Sequence, residues 1–107
     1  MSNASPEQTL ELSHSNKSSI LVVDDNEVYC NILSRRLRSR GYETRIALDG
    51  LEALKLFEQG IRVDLVLLDL MMPNMDGLEV LKRLRATYTI SEMPVIMLSA
   101  KAQSHTI

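Results

Sequence analysis

Residues 20–23 read Ile, Leu, Val, Val and run straight into the acid pair Asp24 and Asp25. Successive side chains of a strand point to opposite faces, so a run that is apolar at every position must be covered on both sides. That calls for a parallel strand packed between helices. Strand-like runs return at residues 63–68, which stop at Asp69, and at residues 94–98, which stop at Ser99. Residues 43–48 alternate more weakly and read as a further strand.

Helical periodicity fills the gaps. Within residues 26–40, Val28, Ile32, Leu33 and Leu37 fall on one stripe, Arg35, Arg36, Arg38 and Arg40 crowd its end, and Gly41 follows. Late arginines and a trailing glycine are helix-end chemistry. Asp49 stands three residues before Glu52, the spacing of a capping box, and Leu51, Leu54 and Phe57 recur at helical intervals until Gly60. Pro73, Asn74, Asp76 and Gly77 make a loop ahead of a third stripe, Leu78, Leu81 and Leu84. Strands alternating with helices predict a doubly wound α/β fold: a parallel sheet with helices on both faces, joined by right-handed crossovers.

At 107 residues the chain is long enough for one such domain and too short for two. Twelve basic against fourteen acidic side chains leave a net charge of −2, which argues against nucleic acid binding through this domain. The single cysteine, Cys30, excludes an intrachain disulfide framework, and His14 and His105 are too far apart in sequence to suggest a metal pair. No apolar stretch approaches the roughly 20 residues that span a bilayer, and the N-terminus lacks a signal-peptide pattern, so no membrane and a cytoplasmic location are expected. Residues 1–19 hold Leu10 and Leu12 among polar side chains and read as a flexible leader, with Ser2, Asn3 and Ala4 resembling the remnant of an expression tag. Residues 20–107 are then the domain.

In doubly wound sheets ligands bind beyond the carboxyl ends of the strands. There the sequence places Asp24 and Asp25 after the first strand, Asp69 after the third and Ser99 after the fourth. If the first and third strands are neighbours, the three carboxylates converge and repel unless a cation neutralises them. A hard divalent ion resolves that conflict, and Mg²⁺ suits a site with few carboxylates and room for a phosphate. A carboxylate can also act as nucleophile toward phosphorus. Asp69, alone on its strand, is the candidate, with the Ser99 hydroxyl placed to donate to a new phosphoryl group. Asp76 reads as a turn and capping residue, Met71, Met72 and Met75 as packing, and Cys30 as a buried or half-buried thiol without redox role.

The run ILVVDD at 20–25, the stretch LDLMMPNMDG at 68–77 and the run VIMLSA at 95–100 together resemble the receiver domain of two-component response regulators, in that family's order and spacing. The resemblance extends from residue 20 to the end of the chain. It implies a flavodoxin-like receiver fold and a signalling domain, not an enzyme. A histidine kinase or phosphotransfer protein would pass a phosphoryl group to Asp69. Asp25, Asp69 and the backbone carbonyl of Met71 would bind Mg²⁺, Asp24 would support the metal through water, and Ser99 would be the switch hydroxyl. The family pattern continues with a further strand bearing a lysine and with a last helix. Lys101 does not match that lysine, so the resemblance implies a domain incomplete at its C-terminus. The fourth strand would then be an exposed edge, and self-association or a domain swap through it is expected. The effector is not legible. Two other readings stand beside this one: a haloacid-dehalogenase-like phosphatase, disfavoured because Asn26 and not an acid lies two residues after Asp24, and an interaction domain that is never phosphorylated.

Overall fold

The computed structural model describes residues 17–98 of the chain; the bulk of the expected leader, residues 1–16, and Ser99 lie outside the described residues. The elements are β1 (Ser19–Val23), α1 (Glu27–Ser39), β2 (Glu43–Ala47), α2 (Gly50–Glu58), β3 (Leu65–Asp69), α3 (Gly77–Thr87) and β4 (Val95–Leu98). All four strands are parallel, in the order β2-β1-β3-β4. The chain leaves β1 toward one edge and β3 toward the other, so the order reverses between them. That crevice is where a doubly wound sheet offers a site.

The two faces of the sheet take alternate residues of each central strand. Leu21 and Val23 of β1, with Val66 and Leu68 of β3, bury themselves beneath α2 and α3 together with Ala53, Val80 and Leu84. Ile20 and Val22 point the other way, toward Cys30 of α1, with Leu33, Leu37, Leu65 and Leu67 packed around them. Helices cover both faces, as expected. β2 departs from the rule of strands apolar on both sides, because it is an edge strand and its Arg45 is exposed.

Two helical stripes hold only in part: Leu33, Leu37, Leu81 and Leu84 pack on the core, but Val28, Ile32 and Leu78 do not. In α1 the buried side is Cys30, Leu33, Ser34 and Leu37, while Val28 is 68% exposed and Ile32 47%. Small Cys30 and Ser34 let the helix approach the sheet, and Ser34 and Thr44 share a hydroxyl hydrogen bond joined by Arg38. In α3 the buried residues are Gly77, Val80 and Leu84, and Leu78 is exposed. β3 starts later than the apolar run, at Leu65, because Asp64 turns aside. Its N–H donates to the Ser19 carbonyl, and its carboxylate accepts from the Ser19 N–H.

Each helix begins on a side-chain cap. Asn26, Asp49 and Asp76 accept from the N–H groups of Tyr29, Glu52 and Glu79. The Glu52 carboxylate reaches back to the Leu48 N–H at 2.6 Å, closing the capping box one residue earlier than the simple pattern. β4 is the outer strand among the described residues, with Ile96 half exposed. No helix among the described residues is long and apolar enough to cross a membrane.

Candidate functional site

The acids are assembled by strand register. Val23 pairs with Leu68 across the β1–β3 ladder, so Asp24 and Asp69 leave neighbouring strands side by side. One carboxylate oxygen from each of Asp24, Asp25 and Asp69 lies within 4.8 Å of the others. Asp24 and Asp69 are nearly buried, whereas Asp25 opens to solvent. The sequence expectation that these three converge is met in the geometry.

The same local bond orients two of the three. Asp24 Oδ1 accepts the N–H of Asn26 at 2.9 Å, and Asp69 Oδ1 accepts the N–H of Met71 at 3.1 Å. In each case an aspartate at a strand end holds the backbone two residues on, which turns the chain out of the sheet and fixes the carboxylate. Burial raises the pKa of Asp24 above its ordinary value; the Asn26 bond opposes that shift, and the charges of Asp69 and Asp25 add to it. A set of oxygen donors held close and partly desolvated fits a hard divalent cation. Cys30, a soft donor beside Asp24, does not compete. Its buried thiol donates to the Asp24 carbonyl at 3.3 Å, and burial, aided by the Asp24 charge, pushes its pKa up to about 11.

Beyond Asp69 the loop is shaped by contacts that carry no charge. Asn74 takes a positive φ of 71°, a conformation asparagine tolerates, and Met75 N–H closes on the Pro73 carbonyl at 2.8 Å. Met72 turns into the core while Met71 stays half exposed, and Asp76 caps α3, as expected of it. Two glycines shape the site: Gly77, expected to shape the loop, and Gly50, which was not singled out. A Cβ at Gly77 would collide with the Asp69 carbonyl and lie 2.9 Å from Leu70 Cα, so only glycine lets α3 start against the acceptor strand. A Cβ at Gly50 would stand 2.6 Å from Val80 and 3.2 Å from Met75, so the start of α2 presses on the same loop. The signal for Gly77 was present in the loop pattern, but nothing local marks Gly50, whose neighbours Val80 and Met75 come from α3 and the loop before it. Ser99 falls outside the described residues; Leu98, just before it, is registered against Asp69, and its carbonyl accepts the Leu70 N–H at 3.0 Å.

A parallel sheet with three carboxylates at its switch point is matched, over residues 20–107, by the family model of the response regulator receiver domain. The chain belongs to that family. As a receiver domain of two-component response regulators it shares 45% identity over 82 residues with response regulator MprA of Mycobacterium sp. (strain KMS), covering 77% of this chain and 34% of that one. It shares 44% over 85 residues with DNA-binding response regulator MtrA of Mycobacterium tuberculosis (strain CDC 1551 / Oshkosh), covering 79% and 36%. The chain thus spans about a third of the length of these relatives. Among solved structures, response regulator TrrA of Thermotoga maritima, in complex with Mg²⁺-BeF, superposes with a TM-score of 0.73 at 38% identity, covering 83% of this chain and 75% of that one. The Francisella response regulator 1452 receiver domain superposes at 0.70 with 36% identity, covering 78% and 67%.

Family membership corrects one expectation. The expectation that the chain is not an enzyme gives way, because receiver domains carry a weak autophosphorylation and phosphotransfer chemistry of their own, even though they are classed by their signalling role. A phosphoacceptor role is typical of the family, and response regulators work with histidine kinases and effector domains.

Proposed function

We propose that Asp69 is the phosphoacceptor of this receiver domain. The observation that carries the reading is the convergence of Asp24, Asp25 and Asp69 at the β1–β3 switch point. One Asp69 carboxylate oxygen bonds to the phosphorus of a phosphohistidine on a kinase or phosphotransfer protein. The P–N bond breaks, and the imidazole leaves with the electron pair and takes a proton from water. Asp25, Asp69 and the backbone carbonyl of Met71 would hold Mg²⁺, with Asp24 supporting it through water. When bound, the ion neutralises the carboxylates and the oxygens of the transferring phosphoryl group. The Asn26 and Met71 N–H groups hold Asp24 and Asp69 in place throughout, so little reorganisation is needed at the moment of transfer.

Ser99 would donate its hydroxyl to the acyl phosphate. Support comes from the register of Leu98 against Asp69, which fixes where β4 ends relative to the acceptor. The resulting bias on a distant face would reach an effector, in a cytoplasmic signalling protein. The test is phosphotransfer from a labelled histidine kinase to this chain and to Asp69→Asn. Label appearing on the parent only, and only with Mg²⁺, is the expected result; an output response that survives Asp69→Asn would instead favour an interaction domain that needs no phosphorylation.

Pairing of two copies along β4 is a second reading, favoured by the outer position of that strand among the described residues and by half-exposed Ile96. Light scattering that finds a monomer at every concentration removes it.

A further inference from the structure

At the amino ends of β1 and β2, the end of the sheet opposite the acids, the surface folds into a cavity of about 430 Å³. Among the described residues four cations line it, Lys17, Arg38, Arg45 and Arg62, and one carboxylate, that of Glu43. This is a concentrated positive charge on a chain whose net charge is −2. A concave surface on which cations outnumber the one carboxylate raises the local concentration of anions.

One of the cations is anchored. Arg38 Nη1 donates to Ser34 Oγ at 2.9 Å and to Thr44 Oγ1 at 3.1 Å, and Ser34 is itself only 1% exposed. This fixes the guanidinium at one nitrogen and leaves Nε and Nη2 for another acceptor. Such a fork matches two oxygens of one phosphate group. The remaining cations come from three other segments, ahead of β1, on β2 and ahead of β3, and supply charge for a second phosphate group beside the one at the Arg38 fork. Tyr42 and Ile61 add an aromatic and an aliphatic wall.

We propose that this cavity binds a small molecule bearing a diphosphate group. The five residues of β1, about 16 Å at about 3.3 Å per residue, separate it from the carboxylate cluster. It is therefore a second anion site, independent of the phosphoacceptor reading. The free inorganic diphosphate and a nucleoside diphosphate share the chemistry, and the wall of Tyr42 and Ile61 is what would tell them apart.

The test is a titration of the ¹⁵N-labelled chain with inorganic pyrophosphate, and separately with adenosine diphosphate, in metal-free buffer at about 0.1 M salt, where exposed long-range attraction is largely screened. Saturable shifts centred on residues 42–45 and 61–62 are expected, with binding at least about tenfold weaker in an Arg45→Gln, Arg62→Gln double variant and unchanged in Asp69→Asn. Arg45 and Arg62 are exposed, so the double variant keeps the fold, which its spectrum checks. Tighter binding of adenosine diphosphate would assign the walls to a base, and equal binding would assign the site to the phosphates alone. Absence of saturation by either probe, shifts centred elsewhere, or affinity unaffected by the double variant would overturn the proposal.

Discussion

Asp24 and Asp69 leave adjacent parallel strands at the same level, and each carboxylate is tied to the backbone N–H two residues further on. Two nearly buried acids are thus held facing one corner, with Asp25 at its open side. The corner is costly without a cation, and that cost is measurable.

Burial raises the Asp24 pKa in the folded chain above its unfolded value of 3.8, with Asp69 and Asp25 adding to the shift. The folded state therefore keeps this proton longer than the unfolded state does. Its contribution to stability is complete below 3.8 and is lost as pH rises through the folded-state value. Thermal melts of the metal-free chain should show this loss as pH rises above 3.8, and Asp24→Asn should flatten it and raise Tm at neutral pH. The same variant should bind Mg²⁺ more weakly. A lower neutral-pH Tm for Asp24→Asn would show that the carboxylate stabilises the metal-free corner.

Gly77→Ala drives a methyl group into the Asp69 carbonyl and the Leu70 backbone, neither of which can rotate away. A loss of about 1–3 kcal/mol in chemical denaturation is expected, the range for forcing a group into filled space. Gly50→Ala meets the end of the Val80 side chain and Met75, and should cost less. Equal stability of Gly77→Ala and the parent would mean that α3 does not start where the structure puts it.

Asp76→Ala separates capping from metal binding. Asp76 Oδ1 accepts the Glu79 N–H at 3.0 Å at the start of α3. Its removal should cost about 1 kcal/mol of stability and leave the Mg²⁺ dissociation constant within twofold or so. A tenfold weaker Mg²⁺ titration would make it a ligand.

Cys30 should resist thiol reagents in the folded chain. Its side chain is fully buried, bonds to the Asp24 carbonyl, and has its pKa pushed up to about 11, so almost no thiolate exists at pH 8. Labelling kinetics in buffer and in denaturant check this; equal rates would place the thiol at the surface.

Much of this could be read in the order of residues, and the exceptions have physical causes. The runs ending at Asp24 and Asp69 gave away the strands, because residues buried on both faces leave no room for polar side chains. The caps at Asp49 and Asp76 were equally legible, being local chemistry. The stripes of α1 and α3 were legible only in part, through Leu33, Leu37, Leu81 and Leu84, because the sequence shows which residues are apolar but not which way the helix rolls. Small Cys30 and Ser34 won the face against the sheet, and Val28 and Ile32 were left outside. The acids were visible singly, and their meeting depended on β1 pairing with β3, a tertiary fact. Gly50 was silent for the same reason, as its partner Val80 lies thirty positions away.

The central claim is that the Asp24, Asp25 and Asp69 corner makes Asp69 a phosphoacceptor. Intact mass after incubation with acetyl phosphate and Mg²⁺, with Asp69→Asn beside it, tests this most directly. The expected result is a gain of one phosphoryl group that disappears in the variant and with EDTA. A gain that persists in Asp69→Asn, or that is indifferent to EDTA, would contradict the account.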